Sequence, residues 1–191
     1  MMILKQAVKL SNVLMFFLIL ASLEILLLVN QNRQLRQAMI SYTKDRETLK
    51  SGELIKIFPL KTLSGNFINL EDYLKTKPHT FLLFFSSNCP ACEKDIPIWK
   101  KILQASENSE FSIIAVSLDN EIETRRFADF NELGFDILLD DDQNTFFKAN
   151  KVHSVPELVL INREGVVENI WVRAISVLEE KSLNDILNSF M

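Results

Sequence analysis

At 191 residues and a net charge of −4, the chain has room for one ordinary domain and an appendage. The charge is unevenly spread: residues 1–50 carry seven Lys/Arg against three Asp/Glu, and residues 51–191 carry fourteen against twenty-two. So acidic a domain lacks the clustered cations that neutralise phosphates, which excludes nucleic acid as a partner. Only two cysteines occur, three positions apart, and the histidines His79 and His153 lie in unrelated segments; this excludes a disulfide-stapled scaffold and a four-ligand structural zinc site.

In chain order, residues 1–12 form a short tail bearing Lys5 and Lys9. Residues 13–29 are apolar, interrupted only by Ser22 and Glu24, at the short end of what spans a bilayer. Thirteen of them are Leu, Ile, Phe or Val, each contributing about −0.3 to −0.6 kcal/mol near the bilayer centre, and together they outweigh the roughly +3 kcal/mol of one central carboxylate. No small-x-small cleavage site follows; Asn30-Gln31-Asn32-Arg33 does, so the segment reads as an uncleaved transmembrane anchor and not as a removed signal peptide. Two arguments about orientation conflict. Arg33, Arg36, Lys44 and Arg46 outnumber Lys5 and Lys9, which by charge count alone puts the following domain in the cytoplasm. An N-terminal anchor with a short basic head, however, behaves as an export signal. The expectation is therefore a single pass through the cytoplasmic (inner) membrane, with the C-terminal domain facing the periplasm or cell exterior. Residues 30–51 are polar, lack Pro and Gly, and read as a helix-compatible stalk. Leu28, Leu35, Tyr42 and Leu49 recur every seven residues, but Gln31, Ala38 and Asp45 make a poor second seam, which favours a solvated spacer over a coiled coil.

The remaining segment, 52–191, alternates strand and helix patterns. Residues 58–70, around Gly65-Asn66, read as a short hairpin. The unbroken apolar runs 81–85, 113–116 and 158–161 fit strands covered on both faces, and 166–172 a strand returning from the turn at 162–165. Helical stretches are expected at 90–106, 121–133, 144–151 and 177–190. The pattern predicts an α/β fold, a mixed sheet flanked by helices.

The first of those strands runs through Ser86-Ser87-Asn88 into Cys89-Pro90-Ala91-Cys92, where a helix begins. Cys89 then falls at the helix N-cap, where unpaired N–H groups and the positive end of the dipole stabilise a thiolate. Pro90 suits the first turn, because the N–H it lacks has no partner there. Cys92, one turn deeper, can reach the Cys89 sulfur and resolve a mixed disulfide. The blander reading is two buried thiols or half a metal site. The strand-to-helix placement favours redox chemistry.

The segment 84–97, Phe-Phe-Ser-Ser-Asn-Cys-Pro-Ala-Cys-Glu-Lys-Asp-Ile-Pro, resembles the active-site stretch of membrane-anchored thioredoxin-fold oxidoreductases of the TlpA/ResA-like group. Residues 154–165, Ser-Val-Pro-Glu-Leu-Val-Leu-Ile-Asn-Arg-Glu-Gly, resemble their second signature, a cis-proline before a strand and an Asp/Asn-x-x-Gly turn. The stretch 82–92 is also similar to the thioredoxin-like accessory proteins of methylamine dehydrogenase maturation. The resemblance covers about residue 52 to the C-terminus. It implies a thioredoxin-like fold, Pro156 as a cis-proline facing the cysteine pair, and a Val155 backbone that pairs with an extended substrate. It also implies an extra helix and strand between Cys92 and Pro156. Two positions depart from the pattern: Asn88 stands where Trp is usual and Glu157 where Thr is common, both expected to border the peptide-binding surface.

Asp95 admits two readings. Positions 92, 95, 96 and 99 share one helical face, so its carboxylate can lie beneath Cys92 and move a proton there; it can equally be a first-turn acid complementing the dipole. The group carries an acid at this position, which adds weight to the first. Asp140-Asp141-Asp142 is read as a loop capping the next helix in preference to a cation site. The expected function is thiol–disulfide exchange by Cys89, Cys92 and Asp95 on protein substrates held at Val155 and Pro156. It would serve in maturation of an exported protein, with a membrane or soluble redox partner and no cofactor or metal. Reductant, oxidant and isomerase share the motif, so direction stays open. The alternative is a membrane-anchored copper chaperone using the cysteine pair, with His153 as a third ligand. A peroxidase would need Pro and Thr before a single reactive Cys, and residues 84–88 supply neither.

Overall fold

The structure, a computed structural model, describes residues 15, 17–36, 47–140 and 143–190. The chain divides into two compact units, Met1–Glu47 and Thr48–Met191. In the first, residues 17–36 form helix α1, whose Phe17, Leu18, Ile19, Ile25, Leu26 and Leu28 are all exposed. Among the described residues no helix is long and apolar enough to cross a membrane. The predicted tail 1–12, residues 13, 14 and 16 of the predicted span, and stalk residues 37–46, including Tyr42, lie outside the described residues.

The second unit begins before residue 52, because Leu49 is buried among Ile55, Leu70 and Leu74. It is a thioredoxin-like mixed α/β fold. The elements run β1 (Pro59–Thr62), β2 (Phe67–Asn69), α2 (Leu70–Leu74), β3 (His79–Phe85), α3 (Pro90–Ser106), β4 (Phe111–Ser117) and α4 (Glu121–Phe130). They continue with β5 (Asp136–Leu139), α5 (Thr145–Ala149), β6 (Glu157–Asn162), β7 (Val167–Val172) and α6 (Val177–Ser189). The seven strands are ordered β2-β1-β5-β4-β3-β6-β7. β3 is central, parallel to β4 and antiparallel to β6, with Phe85 opposite Ser117 and Phe84 opposite Glu157. The expected hairpin is β1–β2, and it joins the sheet antiparallel to β5. The region between Cys92 and Pro156 holds β4, α4, β5 and α5.

Because side chains alternate along a strand, β3 feeds two cores at once. Phe81, Leu83 and Phe85 pack with Trp99 and Ile102 of α3, Phe127 of α4 and Leu183 and Leu187 of α6. Leu82 and Phe84 pack on the other face with Leu70 and Leu74 of α2 and Phe146 and Phe147 of α5. Fully burying a Leu or Phe is worth roughly 1.5–3 kcal/mol, so this doubly covered strand fixes where its C-terminal end delivers the chain. That end is the cysteine loop. Two helices are held by side chains acting at a distance or in pairs. Asp140 accepts the N–H groups of Phe146 and Phe147 at 3.0 Å, as the capping reading of that acidic run required, while Asp141 and Asp142 lie outside the described residues. Ser176 and Glu179 form a reciprocal capping box that starts α6.

Candidate active site

Cys89 is the N-cap of α3, in extended backbone (φ −104°, ψ 107°), with Pro90 opening the helix. The Cys92 N–H donates to the Cys89 sulfur at 3.1 Å, giving an otherwise orphaned helix-terminal donor a partner suited to negative charge. Cys89 is partly exposed, Cys92 is buried, and both are free thiols. The Val155–Pro156 peptide is cis, and the Cys89 thiol donates to the Val155 carbonyl at 3.4 Å. The two sequence signatures, 66 positions apart, thus meet at a single sulfur.

Burial pushes the Cys92 thiol well above its ordinary range; the Cys89 thiol and the Asp95 carboxylate add to the shift, and the Ser86 backbone opposes it. Asp95 is itself only 3% exposed, on the α3 face shared with Cys92 and Trp99. Both of its oxygens accept the Ile175 N–H at 3.2 Å, tying α3 to the segment before α6. Burial raises the Asp95 pKa, the Ile175 N–H lowers it in part, and Glu179 raises it further. The dipole-complement reading does not account for this depth. Such an acid sits inside the core, not on a solvated first turn.

Glu157 departs from its expectation. The resemblance puts it at the border of the peptide-binding surface, yet it is buried, and alternation along β6 puts it on the face of Val159 and Ile161, away from Leu158 and α3. Burial alone pushes its carboxyl up to about 7. Asn88, the other departure, is exposed beside Cys89. His153 is exposed in the loop before Val155. Among the described residues no group of three or more His, Cys, Asp or Glu side chains could hold a metal ion, so His153 and the cysteine pair are not gathered as copper ligands.

One contributor carries no motif of its own in the sequence. Asp119 follows β4, and its carboxylate clasps the loop leading to Cys89: the Ser86 hydroxyl donates to one oxygen at 3.1 Å and the Ser87 N–H to the other. Ser86 Oγ then accepts the Asn88 N–H at 3.3 Å. Asp119 is anchored in turn, its own N–H donating to Ser117 Oγ at 3.2 Å. The available signal was an acid just beyond the C-terminal end of a buried parallel strand, where sites of open α/β sheets gather.

Residues 52–170 match the AhpC/TSA family. The chain is 30% identical over 131 residues to the thiol-disulfide oxidoreductase ResA of Halalkalibacterium halodurans, covering 68% of this chain and 73% of that protein. It is 30% identical over 118 residues to the methylamine utilization protein MauD of Methylorubrum extorquens, covering 61% and 54%. Among solved structures, a thiol:disulfide interchange protein DsbE from Chlorobium tepidum superimposes with a TM-score of 0.65 at 22% identity, covering 74% of this chain and 98% of that one. That last likeness speaks to the fold. With the family match spanning most of the folded unit, the chain belongs to the AhpC/TSA family, among the thioredoxin-fold thiol–disulfide oxidoreductases of the TlpA/ResA group.

Proposed function

We propose that this oxidoreductase exchanges disulfides with exported polypeptides at the outer face of the cytoplasmic membrane, anchored there by residues 13–29. The observation that carries the chemistry is the pairing of a half-exposed N-cap sulfur, Cys89, with a buried Cys92 one turn below it. In the reducing direction the Cys89 thiolate attacks one sulfur of a substrate disulfide, forming a mixed disulfide and releasing the other substrate sulfur as a thiolate. Cys92, deprotonated with help from Asp95, then attacks the Cys89 sulfur. This releases the second substrate thiol and leaves a Cys89–Cys92 disulfide: two electrons pass to the substrate. The oxidised pair runs the same steps backwards, and a membrane or soluble thiol partner resets it. The Val155 backbone, beside the cis-Pro156 and within reach of the Cys89 sulfur, is the segment along which an extended substrate backbone would pair.

The anchor reading is supported by the exposed apolar side chains of the first part of α1, among them Phe17, Leu18, Ile19, Ile25, Leu26 and Leu28, which suit an apolar surrounding. Replacing Cys92 by Ala is expected to trap mixed disulfides through Cys89, visible as adducts that a reductant dissolves. Replacing Cys89 as well should abolish them. Adducts that form through Cys92 in a Cys89→Ala variant, with none in Cys92→Ala, would reverse the roles.

A further inference from the structure

Beyond the cysteine pair, Arg173 lies against the proline loop of the site. Arg173 stands just past the end of β7 with φ +74°, a left-handed backbone that side chains other than glycine rarely adopt. Its N–H donates to the Pro156 carbonyl at 2.8 Å. Two residues on, the Ile175 N–H donates to Asp95 beneath Cys92. The strap 173–175 is therefore stitched to the proline loop on one side and to the cysteine helix on the other. The Arg173 side chain is exposed, and among the described residues its guanidinium has no hydrogen bond or ion pair. The carboxylates at Asp95 and Glu157 are buried and do not offer it a surface partner. All this occurs on a unit whose residues 51–191 carry eight more acids than bases.

Strained, unpartnered side chains collect where binding requires them. We propose that Arg173 is a specificity-determining residue, its guanidinium reading an acidic side chain that flanks the reactive cysteine of the substrate polypeptide. This rests on the thiol–disulfide reading above. A substrate strand laid along Val155 passes beside Pro156, whose carbonyl holds the Arg173 backbone, so a residue close to the substrate cysteine comes within reach of a long cationic side chain. On an acidic domain the attraction for an acidic side chain is local to this one cation, so its removal takes the preference with it.

The test uses the full chain and two disulfide peptides that differ only in one residue beside the cysteine, Asp in one and Lys in the other. The wild-type kcat/KM ratio should favour the Asp peptide by roughly three- to fivefold at low ionic strength, shrinking as salt is added. Arg173→Gln should bring the ratio to about one, and Arg173→Glu should invert it; using a ratio cancels any change in the thiol chemistry itself. Arg173→Gly should lose the preference while holding or raising the unfolding temperature, since glycine adopts this φ freely. A wild-type ratio of one, or a preference that persists in Arg173→Gln, overturns the assignment with the thiol–disulfide reading intact. No turnover of either peptide by wild type overturns both.

Discussion

Glu157 and Asp95 are carboxylic acids carried into the core of an acidic domain, and both bear on pH. For Glu157 the folded pKa is about 7 against an ordinary 4.5, raised by burial. A raised folded value means that its favourable contribution is fully present below about pH 4.5 and is lost as pH climbs through about 7. Glu157→Gln should therefore leave stability near pH 4.5 little changed and add on the order of 2–3 kcal/mol above pH 7, read by urea unfolding at both pH values. Equal midpoints for the two proteins at high pH would show that Glu157 is not charged against burial. Asp95 shifts in the same direction, but its charge faces the thiols, so its removal is read in chemistry. In Asp95→Asn one oxygen still accepts the Ile175 N–H, while the negative charge that raises the Cys92 pKa is gone. The thiol titration should move down, and mixed-disulfide resolution should slow at least tenfold near neutral pH for want of a base. Superimposable ultraviolet thiolate titrations and unchanged resolution rates would reduce Asp95 to a link between α3 and the segment before α6.

The elements differ in how plainly the chain announces them. β3, β4 and β6 are apolar on both faces, a pattern that needs no partner to interpret, and α3 begins at a proline behind an N-cap cysteine. α2 and β5 are not legible in the sequence, for a physical reason. α2 spans only Leu70–Leu74, held by Asn69 accepting the Glu71 N–H and by the burial of its two leucines; so short a helix carries too few periods to register. β5, Asp136–Leu139, was hidden behind a helix expected to run to residue 133, yet that helix stops at Phe130, where Asn131 caps it and Glu132 turns with φ 51°. Similarly α5 is shorter than its pattern, with Asn144 at φ 55° and the capping delegated to Asp140. The cysteine pair and the cis-proline were legible because each sits in a local signature. Asp119 and Arg173 were not, because what marks them, a clasp from β4 onto the Ser86 loop and a left-handed backbone held by Pro156, exists only after distant strands have been brought together.

At the scale of the whole molecule, the proposed anchor could leave the acidic unit on either side of a membrane, and two physical arguments oppose each other. Basic residues after the apolar run, Arg33, Arg36, Lys44 and Arg46, favour retention on the inside, whereas Lys5 and Lys9 before it are few. Against that count stands the chemistry. A pair built to exchange disulfides with polypeptides acts where such bonds persist, and thiol pools in the cytoplasm keep them reduced. The acidic charge of residues 51–191 would place no barrier in the way of export, since Asp and Glu contribute little to orientation. We therefore expect the N-terminus inside and residues 52–191 outside. A reporter that is active only after export, fused to the C-terminus of the full chain, should be active, and a thiol-reactive reagent that cannot cross the membrane should label Cys89 in intact cells. A silent export reporter together with a fluorescent cytoplasmic one would place the unit inside. The substrates would then have to be cytoplasmic thiols, and the basic cluster at residues 33–46 would have prevailed over the export signal.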